Sequence, residues 1–241
     1  NKSDLADPEV TAQWLETFSA EEATRALSIS ATDPADAKRI PGLCKTLAPH
    51  RRGPGKTVRC MVVGIPNVGK STLINTILGR RIAEVGDRPA VTKRQKQFEL
   101  DRGVSVSDTP GVLWPKLADQ AGAYRLAASG AIRETAFEVQ DVALFAARFL
   151  AQRYPAPLAA RYKLETVPSE GQEILDALGR KRGFLKRGGI VDTERAAEIL
   201  LRELRSGAIG RISFETPGDF PGDLPSDLPG DLPSDQEPAP E

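Results

Sequence analysis

Cysteine is scarce. Cys44 and Cys60 are the only two, too few for a disulfide framework. Cys60 lies in an apolar segment and reads as a buried thiol in a reducing compartment. No apolar run approaches a membrane span. Histidine occurs once, at His50, in a linker that gives no reason to cast it in catalysis. Methionine also occurs once, at Met61, and the chain opens on Asn1, so a fragment lacking its N-terminal part is expected. Bases are missing from residues 218–241, which hold seven acids. The other 217 residues carry 33 bases against 26 acids, a net +7 hidden by the overall charge of zero. A basic body with an acidic tail points to a polyanionic partner. The 241 residues, 40% hydrophobic, suffice for one large domain or two smaller ones.

What is present centres on Gly64–Ser71, GIPNVGKS, which fits the phosphate-loop pattern G-x-x-x-x-G-K-[ST]. Thr57–Val63 before it reads as a buried strand rich in β-branched residues. Thr72–Gly79 after it reads as a helix, with Leu73, Ile74, Ile77 and Leu78 on one face and Gly79 past its end. Strand, glycine loop and helix are what the motif requires. Backbone N–H groups of Asn67, Val68, Gly69, Lys70, Ser71 and Thr72 and the positive end of the helix would cradle a polyphosphate. Lys70 is expected to reach the β- and γ-phosphates, and Ser71 to ligate Mg²⁺.

Ahead of the loop, Asp7-Pro8-Glu9 reads as a helix start, followed by Val10, Trp14 and Phe18 at helical spacing as core. Ala26–Ser30 reads as a short strand, and about Asp36–Leu47 as a helix with Ile40, Leu43 and Leu47 inward. His50–Lys56 is a basic linker. Beyond the loop, residues 80–91 lack a period and lead to Thr92. Arg94–Leu100 and Val104–Ser107 read as a hairpin across Asp101-Arg102-Gly103. From about Lys116 the pattern turns helical. Val139, Val142, Phe145, Ala146, Phe149 and Leu150 make one stripe, Ile174, Leu175 and Leu178 another. Ala196, Ile199, Leu200 and Leu204 make a third, after a candidate cap at Asp192. A basic run with Phe184 in it, Arg180, Lys181, Arg182, Lys186 and Arg187, interrupts these helices. It reads either as an RNA contact or as a solvated loop, and Phe184 either as a base-stacking ring or as core. The tail from Gly218 repeats every four residues, with proline dense enough to block helix and sheet.

Other pieces fit the same chemistry. Asp108-Thr-Pro-Gly111 ends a strand, where the carboxylate can hold Mg²⁺ through water and the Gly111 N–H can sense a γ-phosphate. Thr92 can complete the metal shell only while that phosphate is present. Asn1-Lys2-Ser3-Asp4 supplies a base reader, because the Asp4 carboxylate can accept guanine N1–H and N2–H together. Ser30-Ala31 brings a backbone N–H toward guanine O6. A Ras-type enzyme runs phosphate loop, switch threonine, DxxG, NKxD, SA. Here the last two come first, so the domain reads as circularly permuted.

With NKSDL, GIPNVGKSTLIN, VGDRPAVT, DTPGVLWPK, GAIRE, QDVA, KRG and RISFE, residues 1–216 resemble the bacterial ribosome biogenesis GTPase A family of circularly permuted GTPases. The resemblance implies an α/β P-loop GTPase domain over residues 1–117 and a small all-helical RNA-binding domain over 118–216; the acidic repeat tail, 217–241, lies outside it and is expected to be disordered from its proline density. It further implies GTP and GDP binding with Mg²⁺, a cytoplasmic protein, and a late role on the large-subunit precursor and its rRNA. Membrane and DNA are not among the expected partners. Alternatives are a permuted GTPase for the small or the mitochondrial subunit, or a nucleotide-gated RNA scaffold with negligible turnover. Val112 follows Gly111 where Ras-type enzymes place a water-orienting glutamine, so slow intrinsic hydrolysis, activated on the ribosome, is expected. Asn67 matches an asparagine that such enzymes use toward K⁺, and equally suits loop geometry alone. Ras-like sheet order, 2-3-1-4-5-6, predicts a gap between Val58–Val63 and Ala26–Ser30, because strands 4 and 5 would precede Asn1.

Overall fold

The structure is a computed structural model that describes residues 1–51, 56–80, 96–100, 103–111, 119–132 and 137–219. Thr92, Val112 and residues 220–241 lie outside the described residues.

Helix α1, Pro8–Ser19, starts as its sequence dictates: the Asp7 carboxylate accepts from the Glu9 N–H at 2.9 Å and the Val10 N–H at 3.3 Å. Val10 is buried. Phe18 is 38% exposed rather than core, because its ring is covered mainly by Trp14, stacked 5.3 Å away. Helix α2, Pro34–Leu47, is capped by Asp33 and buries Ala37. Its inward face is displaced from expectation, leaving Leu47 exposed at the last turn.

Strand β1, Val58–Val62, leads into the phosphate loop and then helix α3, Lys70–Leu78. Gly79 closes that helix at φ 65°, a left-handed conformation that glycine adopts without strain. Strands β2, Lys96–Leu100, and β3, Val104–Asp108, form the expected hairpin, with Gly103 at φ 71°. Among the described residues the sheet has three strands in the order β1-β3-β2, β1 and β3 parallel and β2 antiparallel. Parallel pairing aligns Val62 with Asp108, so the phosphate loop and the Asp108 turn leave the same end of the sheet.

Ala26–Ser30 forms no strand, which corrects the sequence reading. Among the described residues β1 pairs with β3 alone, and Ala26–Ser30 does not pair with its other edge, so the segment makes no ladder. Its Ile29 carbonyl instead accepts from the Ser3 N–H at 3.0 Å. The other edge of β1 is thus unpaired among the described residues, and Arg59 and Met61, alternating along the strand, are exposed on one of its faces.

Val58, Ile74, Val104 and Val106 make the small core between sheet and α3. A larger core gathers α4 (Gln120–Ala128), α5 (Val139–Arg153), α6 (Pro155–Tyr162), α7 (Gly171–Arg182) and α8 (Thr193–Arg205). The three predicted stripes meet in it: Val142, Ala146 and Leu150 pack with Ile174, Leu175 and Leu178, and with Ala196, Leu200 and Leu204. Asp192 caps α8 by accepting from the Arg195 N–H at 3.3 Å. Phe184 packs against this core under the Arg195 guanidinium, 4.6 Å from the ring centroid. The first tail residues, Pro217–Asp219, are ordered in a short turn: Asp219 accepts from the Thr216 N–H at 2.7 Å and pairs with Arg153.

Candidate functional site

The phosphate loop bends through three positive-φ residues, Gly64 at 147°, Asn67 at 56° and Gly69 at 91°. Gly69 is obligatory for a second reason: a Cβ there would lie 2.4 Å from the Asn1 amide nitrogen. Lys70 opens α3 and folds its ammonium back over the loop, donating to the Gly64 carbonyl at 2.9 Å and the Ile65 carbonyl at 2.7 Å. Partial burial lowers its pKa, and the Asp108 carboxylate opposes that shift. Ser71 follows on the same turn, its Oγ donating to Asp108 Oδ2 at 3.2 Å.

Asp108 is held by β3 and is 1% exposed. The turn after it is pinned to β1, because Thr109 Oγ1 donates to the Val62 carbonyl at 2.7 Å. That brings Gly111 onto the loop: a Cβ there would lie 2.8 Å from Pro66 N and Cα and 3.0 Å from Lys70 Nζ. Lys70, Ser71, Asp108 and Gly111 thus converge, as their motifs predicted. A serine hydroxyl and a buried carboxylate are hard oxygen donors, a set that suits Mg²⁺. Among the described residues no cluster of three or more His, Cys, Asp or Glu that could hold a metal ion occurs.

The base-reading motifs join the loop through Asn1, a role the motif alone did not reveal. Asn1 Nδ2 donates to the Val68 carbonyl, while Asn1 Oδ1 accepts from the Ala31 N–H at 2.9 Å and the Lys2 N–H at 2.8 Å. Thr76 of α3 donates to the Ala31 carbonyl at 2.6 Å, and the Ser30 N–H donates to Asp36 Oδ2 at 2.9 Å. Lys2 sits at φ 60°, and the Leu5 N–H closes a turn on the Lys2 carbonyl at 3.0 Å, with Asp4 exposed inside it. Thr72 lies one turn into α3 beside this junction.

Asn67 makes an unpredicted long-range contact. Its Nδ2 donates at 2.9 Å to the carbonyl of Gly130, just past α4. Arg205 of α8 caps the same helix end, donating to the Ala127 carbonyl at 3.0 Å and the Ala128 carbonyl at 3.1 Å. The phosphate loop is thereby tied to the helical core.

The basic run divides in two. Arg182 pairs with Glu203 at 2.9 Å, beside Arg161 at 2.7 Å, and Lys186 pairs with Asp192 at 3.2 Å. Arg180, Lys181 and Arg187 are exposed, without an ion pair among the described residues.

These arrangements match those of known proteins. Residues 59–169 match the family described as 50S ribosome-binding GTPase. The chain is 42% identical over 227 residues to ribosome biogenesis GTPase A of Bacillus cereus, covering 91% of this chain and 76% of that protein. Its Priestia megaterium counterpart is 43% identical, covering 91% and 78%. A GDP-bound YlqF structure is 31% identical with a TM-score of 0.64, covering 91% of this chain and 82% of that one. A GNP-bound YlqF from T. maritima is 30% identical with a TM-score of 0.59, covering 90% and 79%. Among the described residues no helix is long and apolar enough to cross a membrane. Identity of 42% and 43% over most of both chains, on a scaffold shared with these structures, makes this chain a member of the ribosome biogenesis GTPase A family, a GTP-binding and GTP-hydrolysing protein of ribosome biogenesis.

Proposed function

We propose that this GTPase acts in the cytoplasm on the precursor of the large ribosomal subunit, hydrolysing GTP slowly until that particle accelerates it. The observation that carries this reading is the Asn67–Gly130 hydrogen bond, which joins the phosphate loop to the helical core that bears the exposed basic residues. The name of the matching family, which specifies the 50S ribosome, supports the large subunit.

In this reading residues 1–117 bind nucleotide and 118–216 dock on rRNA through Arg180, Lys181 and Arg187. Arg182 and Lys186 hold the loop's shape through their ion pairs. Asp4 accepts guanine N1–H and N2–H, and the Ala31 N–H passes from Asn1 Oδ1 to guanine O6. Lys70 exchanges the Gly64 and Ile65 carbonyls for β- and γ-phosphate oxygens, alongside the backbone N–H groups from Asn67 to Thr72. Ser71, Asp108 and Thr92 would hold Mg²⁺, which supplies charge neutralisation at the phosphates. Gly111 senses the γ-phosphate through its N–H. Asn67 keeps its Oδ1 for K⁺ while its Nδ2 stays on Gly130. Val112 offers no hydrogen bond to the attacking water, hence the slow intrinsic rate.

Sedimentation with large- and small-subunit precursors tests the partner. Co-sedimentation with large-subunit precursors, stronger with a GTP analogue than with GDP, is expected. Preference for small-subunit precursors, or equal binding in both nucleotide states, would overturn it.

A further inference from the structure

The segment that follows α8 returns to the other end of the chain and runs along the base-reading turn. Arg211 is its main polar contact. One guanidinium nitrogen, Nη2, donates to the Ser3 carbonyl at 2.7 Å, and Nε donates to the Ala6 carbonyl at 2.9 Å. These two carbonyls bracket Asp4 and Leu5. The Ile212 N–H donates to the Leu5 carbonyl between them at 2.8 Å. The Asp7 N–H then donates to Ser213 Oγ at 3.1 Å. A Cβ at Gly207 would lie 2.8 Å from Leu5 Cδ2, so the helix end that launches this segment is itself fitted to the turn.

The turn needs such support. It contains a non-glycine residue, Lys2, at positive φ, and its closing bond runs from the Leu5 N–H to the Lys2 carbonyl, with the Ser3 N–H held on Ile29. Asp4 is exposed, and among the described residues no hydrogen bond holds its carboxylate directly. An arginine fork is planar and presents its donors in a fixed relation, so it fixes the two carbonyls relative to one another. A lysine could satisfy one carbonyl at a time.

We propose that Arg211 is a positioning residue for guanine recognition, clamping the Ser3 and Ala6 carbonyls so that the Asp4 carboxylate faces both guanine N–H donors. The proposal rests on the reading of Asp4 as the guanine reader. Arg211 touches no nucleotide; it sets the direction of the group that does.

Hypoxanthine nucleotides test this, because inosine diphosphate has the N1–H and lacks the 2-amino group. The ratio of the Kd for inosine diphosphate to that for GDP therefore reads the two-point contact of Asp4. The ratio is measured by calorimetry on the full chain for the wild type and for Asp4→Asn, Arg211→Ala and Arg211→Lys. Loss of a hydrogen bond to a charged acceptor is worth about 10- to 100-fold. Asp4→Asn is expected to collapse the ratio by about that factor. Arg211→Ala is expected to lower it by roughly 3- to 10-fold, with kcat at saturating GTP unchanged. Arg211→Lys should restore part of the ratio, and also serves if the alanine variant does not fold.

If Asp4→Asn leaves the ratio unchanged, the guanine reading itself fails. If Asp4→Asn collapses the ratio while both Arg211 variants keep it, the Arg211 proposal alone fails. Equal loss of affinity for both nucleotides in the Arg211 variants would also overturn it, since that is the signature of general destabilisation.

Discussion

Alanine at Gly111 should separate GTP from GDP. Gly111 is not among the positive-φ glycines, so its backbone accepts alanine and the effect is purely steric. The new Cβ would lie 2.8 Å from Pro66 N and Cα and 3.0 Å from Lys70 Nζ. Carbon atoms prefer separations of about 3.5–4.0 Å, and an added methyl in a packed site typically costs about 1–3 kcal/mol. Pro66 contributes backbone, which cannot rotate aside as a side chain does. The strain must therefore be relieved by withdrawing the Asp108–Gly111 turn from the loop. In the proposed reading GDP makes no demand on that turn, whereas a γ-phosphate is read by the Gly111 N–H. Converted at about 1.4 kcal/mol per decade, affinity for a non-hydrolysable GTP analogue should fall roughly 5- to 150-fold. GDP affinity should change by less than about threefold. Calorimetric titration of both nucleotides into the Gly111→Ala variant measures this. Equal affinities to wild type for the analogue, or equal losses for both nucleotides, would refute the close-approach argument.

Asn67→Ala should remove any preference of hydrolysis for K⁺ over Na⁺, measured as the rate ratio in the two salts. It should also cost about 1 kcal/mol of stability through the lost bond to Gly130, read by denaturant unfolding. Replacing Arg180, Lys181 and Arg187 by alanine should weaken binding to rRNA and flatten its salt dependence by up to about three units of slope. Glu203→Gln should lower Tm by roughly 5 °C in a thermal melt at neutral pH. Hydrogen bonds from Arg161, then the charge of Arg182, hold the Glu203 carboxyl below the usual range against its burial. A depressed carboxyl contributes its stability in full above the ordinary glutamate pKa and loses it as pH falls through the folded value. Wild-type Tm should therefore fall in that acid window more steeply than the Tm of the glutamine variant.

Much of the site was legible because its motifs are local. Gly64–Ser71, Asp108–Gly111 and Asn1–Asp4 are each motifs of a few consecutive residues, and the structure brings them together. The helical core was legible for a similar reason, since residues such as Val142, Ala146 and Leu150 recur at helical spacing within one helix. Ala26–Ser30 misled, because β-like composition does not bring a segment to a neighbouring strand, and this one pairs with none among the described residues. Phe18 and Leu47 misled because a helix's period identifies a stripe but not how much of it a neighbour covers. The links that unify the molecule were invisible. Asn1 bridges to Val68 and Ala31, Asn67 reaches Gly130, and Arg211 reaches Ser3. Each joins residues remote in sequence through a side chain that also suits an ordinary loop. Arg182 and Lys186 looked like their exposed neighbours for the same reason, because Glu203 and Asp192 meet them only in the folded chain.

The most direct measurement of the central claim is the rate of GTP hydrolysis by the chain alone and with purified large-subunit precursors. Slow hydrolysis alone, raised by at least about tenfold with the precursors and not with small-subunit particles, is the predicted result. An unchanged rate in the presence of saturating precursors would contradict it.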